Sequence, residues 1–73
     1  MRCEIEDFKI GWFGLQLAFR PDEIDRLIAN LQELKAGTLG HFHFRKDHWD
    51  EATGVADIEL SLLGPDEQDN MTV

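Results

Sequence analysis

The sequence has one cysteine, Cys3, among its 73 residues. A disulfide framework is therefore excluded, and a lone thiol reads most simply as a small buried hydrophobe. Long apolar runs are also missing, since no stretch approaches the ~18 residues that a membrane span needs. The opening segment, MRCEIEDFKI, is broken by acids and lacks the apolar centre of a signal peptide. These absences predict a cytoplasmic chain that makes no membrane contact.

Basic residues are scarce, with seven against fifteen acids and a formal net charge of −8. Phosphate recognition needs a basic footprint, so nucleic acid is disfavoured as a direct partner and a basic protein is favoured. There is no internal repeat, no linker composition, no phosphate loop and no nucleophile elbow. The acids after Pro65 lack the spacing around a glycine that a calcium loop requires. The expectation is a binding protein rather than an enzyme, with no cofactor.

What remains is a chain rich enough in apolar residues, at 42% with two Trp and five Phe, to fold rather than stay disordered. It is one domain over residues 1–64, with an acidic C-terminal tail over 65–73. Its size is near the lower limit for a core without staples.

Residues 1–10 read as a first strand. Cys3 and Ile5 share a face, while Phe8 and Ile10 fall on the opposite parity, which predicts a bulge or an end near Glu6 and Asp7. Residues 12–20 alternate without a break, placing Phe13, Leu15, Leu17 and Phe19 on a core face and Trp12 on the other. Pro21 suits the first position of a helix, and Asp22 and Glu23 suit its electropositive first turn. Ile24, Leu27, Ile28, Leu31 and Leu34 form one apolar stripe, and Gly37 supplies a left-handed stop. Residues 39–46 and 55–63 read as the third and fourth strands, joined by a polar loop. The predicted fold is α+β, in the order ββαββ, a four-stranded antiparallel sheet with the helix packed on one face. The other face of that sheet stays open, and a homodimer through it is one way to cover it.

All three histidines fall in the last hairpin or its loop. If Arg45 opposes Val55, then Phe42 faces Ile58 and Phe44 faces Ala56 on the helix side. On the open side, His43 then faces Asp57 and His41 faces Glu59, at the short spacing of directly opposed side chains. This row of imidazoles and carboxylates, with Trp49 and Asp50 in the adjoining loop and Trp12 on the first hairpin, is the candidate partner-binding set. An exposed Trp supplies buried area on binding, and the acids orient a basic partner. The alternative is a metal-binding module, with His41, His43 and His48 as candidate ligands and nearby carboxylates completing the set.

The phrases FRPDEIDRLIANLQELKAG, GHFHF and GVADIELSLLGPDEQDN, following a short hairpin, resemble a family of small bacterial immunity proteins encoded beside polymorphic toxins. Gly54 to Glu59 and Gly64 to Glu67 carry most of that likeness. The resemblance implies an acidic α+β protein that neutralises a toxin by binding it, without catalysis. It assigns no functional role to any single position.

Overall fold

A computed structural model describes residues 1–49 and 51–73. The elements run β1 (Arg2–Asp7), β2 (Phe13–Ala18), α1 (Pro21–Ala36), β3 (His41–Arg45) and β4 (Asp57–Ser61). The order ββαββ is as the alternation predicts.

The first hairpin pairs Cys3 with Leu17 and Ile5 with Leu15, so these four side chains share one face. Pairing runs on through Asp7 opposite Phe13, and Phe8 N–H then donates to the Trp12 carbonyl at 3.2 Å. Of the two outcomes that the parity argument allowed, a bulge or an end near Glu6 and Asp7, the second holds: β1 is regular to Asp7 and stops there. Asp7 sits on the apolar face because the turn uses it: its carboxylate accepts the Lys9 N–H at 2.8 Å. Lys9 and Gly11 both adopt positive φ, 63° and 90°, which closes the loop over three residues. Phe8 folds back over Gly14, where a Cβ would come within 3.0 Å of its ring.

Helix α1 begins as its sequence directs. Arg20 is extended, Pro21 follows, and the Glu23 carboxylate accepts the Arg20 N–H at 2.8 Å. The same carboxylate accepts a bond from the terminal ammonium of Met1, which ties the start of β1 to the first turn of α1. Gly37, at φ 79°, ends the helix, and its N–H and that of Thr38 satisfy the carbonyls of Leu34 and Glu33.

The bond to the Met1 ammonium, and after it the bond to Arg20 N–H, hold the Glu23 carboxyl below its ordinary value of 4.5. A depressed carboxyl stabilises the fold above that ordinary value, and the contribution is lost as pH falls through the lowered one. Glu23→Gln is therefore expected to be less stable than wild type at neutral pH and to lose less stability below about pH 4.5. Urea melts repeated down a pH series check this; parallel curves for the two proteins would refute it.

The predicted four-stranded sheet does not form. β1 pairs only with β2 and β3 only with β4, giving two separate two-stranded antiparallel sheets. An open groove of about 960 Å³ lies between them, with residues of β1 (Arg2, Cys3, Ile5) on one side and Phe44, Arg45 and Val55 on the other. Local alternation specifies each hairpin, whereas joining the hairpins is a non-local pairing that no repeat of period two can encode.

The helix does not lie flat on one sheet face either. Among the described residues only Leu34, 6% exposed, is buried. Leu27 and Asn30 are half-buried with it, while Ile24, Ile28 and Leu31 are exposed. At 3.6 residues per turn, these two sets lie about 90° apart around the helix. The single apolar stripe is thus split into an inward line and an outward one. The half-buried apolar side chains elsewhere among the described residues are Cys3, Phe19, Leu39, Phe42, Phe44, Val55, Ile58 and Leu60. Within this set the Phe44 ring stands edge-on to Phe19 at 5.6 Å and to Phe42 at 5.8 Å. The face of the first hairpin expected to form the core stays largely exposed at Ile5, Phe13, Leu15 and Leu17.

Candidate functional site

The second hairpin places His41, His43 and Arg45 on the face opposite Phe42 and Phe44, as alternation demands. Its register differs from the expected one by two residues. Phe44 opposes Ile58, Phe42 opposes Leu60, Arg45 opposes Asp57, His43 opposes Glu59 and His41 opposes Ser61. Pairing extends one step into the loop, with Lys46 N–H donating to the Ala56 carbonyl at 2.9 Å.

The shift has a physical reason on each face. Phe44 meets a branched Ile58 instead of the small Ala56, and Arg45 meets an opposite charge. A two-residue slip keeps every side chain on its own face, so the hydrophobic pattern does not distinguish the two registers.

On the polar face His43 is the central group. Its Nδ1 lies 2.9 and 3.0 Å from the two Asp57 oxygens, a diagonal contact, and its Nε2 lies 3.7 Å from Glu59 Oε1. Arg45 Nε donates to Asp57 Oδ1 at 3.3 Å, so Asp57 bridges an imidazole and a guanidinium. The His41 ring stands perpendicular to that of His43, with centroids 5.1 Å apart. The expected His43–Asp57 contact is present, although the two residues are not directly opposed. His41 does not face Glu59 across the strands, yet His41, His43 and Glu59 each offer a ligand atom within 4.8 Å of the others. His48 belongs to no such group among the described residues.

The other candidates lie apart from this row in the chain. Trp12 follows the turn of the first hairpin and is 74% exposed. Trp49, in the loop beyond β3, is 77% exposed and borders a small concavity with Thr53 and Ala56. Asp50 lies outside the described residues. Arg45 is the residue that sequence reasoning left out of the set. Its signal was available, because it shares strand parity with His41 and His43.

Chemically, the row is a solvent-facing strip of alternating donors and acceptors on a two-stranded sheet. Among the described residues, no helix is long and apolar enough to cross a membrane. Comparison with family models, with curated proteins and with solved structures finds no match.

Proposed function

We propose that the chain is a protein-binding protein that uses the polar face of its second hairpin, together with Trp49, to hold a basic partner. The observation that carries this reading is the row of His43, Arg45, Asp57 and Glu59 on one face of the second hairpin; Trp49, 77% exposed in the loop that follows β3, adds apolar surface to the same hairpin. Side chains already held by mutual hydrogen bonds, as His43, Arg45 and Asp57 are, lose little entropy on binding. An exposed Trp is the residue type that most often anchors an interface. The formal charge of −8 steers a cationic partner towards the molecule. An immunity-type inhibitor, which neutralises a toxin by direct contact, is the concrete form of this reading. It is cytoplasmic and non-catalytic.

The test is binding to a basic partner encoded beside this chain. Trp49→Ala is expected to weaken the complex by roughly 2 kcal/mol, as hot-spot tryptophans do. A paired Asp57→Asn and Glu59→Gln change is expected to slow association and to reduce its salt dependence. Isothermal titration and stopped-flow measurements read both effects. Unchanged affinity in all variants would overturn the reading.

A second reading rests on the spacing of His41, His43 and Glu59. The Asp57 bond to His43 Nδ1 leaves Nε2 facing Glu59, which is the arrangement by which a carboxylate orients a metal-bound imidazole. Zinc is the ion that suits two imidazoles and a carboxylate. On this reading, zinc raises the melting temperature of untagged protein, and His41→Ala with His43→Ala abolishes the rise. Melting curves unchanged by either zinc or a chelator would remove it.

A further inference from the structure

We infer that a second copy of this chain covers the apolar face of the first hairpin and the outward line of helix α1, so that the protein folds as a homodimer. A compact monomer of 8.4 kDa exposes about 4,600 Å². This chain exposes 6771 Å², about 2,200 Å² more. An excess of that size on each copy corresponds to an obligate homodimer interface. If the extended tail accounts for half of it, the remaining ~1,100 Å² per copy still exceeds the ~800 Å² per partner of a standard interface.

Part of the exposed surface consists of apolar strips on two elements. Ile5, Phe13, Leu15 and Leu17 are exposed on one hairpin face, and Ile24, Ile28 and Leu31 on one side of α1. Scattered exposed hydrophobes are ordinary, but contiguous apolar strips on two elements of so small a chain are not. The choice of a second copy over another protein follows from need. With Leu34 the only buried residue among those described, the missing cover belongs to the folded state itself. It must therefore be present whenever the chain is, and another copy of the chain meets that condition.

The charges allow this approach. Glu4 and Glu6 project from the opposite face of β1, and Asp57 and Glu59 lie on the polar face of the other hairpin. The apolar face of the first hairpin carries only Asp7, which is paired with Lys9 at 3.7 Å. Two chains of charge −8 can therefore meet there without opposing their acids. This is the face that alternation assigns to the interior, not the polar face on which a dimer was first expected. It also leaves the row around His43 free.

Sedimentation from micromolar to millimolar protein tests the proposal. Wild type is expected at twice 8.4 kDa, with a melting temperature that rises with concentration. Leu15→Asp should raise the dissociation constant roughly thirtyfold or more, the effect of a buried hot spot. Gln16→Ala, on the opposite face, should leave the mass unchanged. Because Leu15→Asp puts a charge on an apolar face and can abolish folding along with association, a second measurement uses the wild-type chain. Cys3 lies on the same face and pairs with Leu17, so its reaction with a maleimide should slow as protein concentration rises. A monomer with concentration-independent melting and labelling would overturn the proposal. So would a Leu15→Asp variant that melts and sediments like wild type.

Discussion

Leu34→Ala is expected to lose about 2–4 kcal/mol of stability, a large share of what a chain of this size possesses. Leu34 is the one buried side chain among the described residues, at 6% exposed. It sits in the last turns of α1, where the helix gives way to Gly37 and the strand that carries His41. Truncating it removes apolar burial and leaves a cavity that the surroundings fill only in part. Denaturation in urea, with the slope compared to wild type, is the measurement. The informative comparison is Leu31→Ala. Leu31 is 42% exposed in the single chain, so its truncation should cost well under 1 kcal/mol if that surface stays open to water. A cost for Leu31→Ala comparable to that of Leu34→Ala would place both side chains in an interior, as the dimer requires.

Phe44→Ala carries the second large effect, about 2–4 kcal/mol. Phe44 contacts Phe19 at the end of the first hairpin and Phe42 on its own strand, and it lies opposite Ile58. It thereby links the two hairpins, whose strands do not pair with each other, so its loss is expected to loosen the second hairpin against the rest of the chain. Because Phe44 and His43 are neighbours on opposite faces, that loosening should also weaken any ligand of the polar row. Near-ultraviolet circular dichroism reports the loss of aromatic packing, and amide exchange of β3 reports the hairpin. Exchange in β3 as slow as in wild type would contradict the bridging role.

These two residues also mark how far the sequence can be read. The helix was legible at both ends because its signals are local: Pro21 and Glu23 at the start, Gly37 at the stop. The faces of every strand were legible because side-chain period is a property of the chain itself. The contact between His43 and Asp57 was legible for the same reason, since both fall on one face of one hairpin.

The register within that hairpin, the separation into two sheets and the division of the helix stripe were decided by the tertiary structure. Two registers that differ by two residues present the same pattern, and the pairing of Phe44 with Ile58 and of Arg45 with Asp57 selects between them. Whether hairpins join depends on contacts distant in sequence, which local periodicity does not record. Alternation likewise marks Leu15 and Leu17, and helical spacing marks Ile28, as side chains to be buried, but neither states against what. The sequence by itself determined that these residues must leave water. Only the tertiary structure revealed that one copy of the chain does not remove them, because one short helix and two narrow hairpins enclose too little volume.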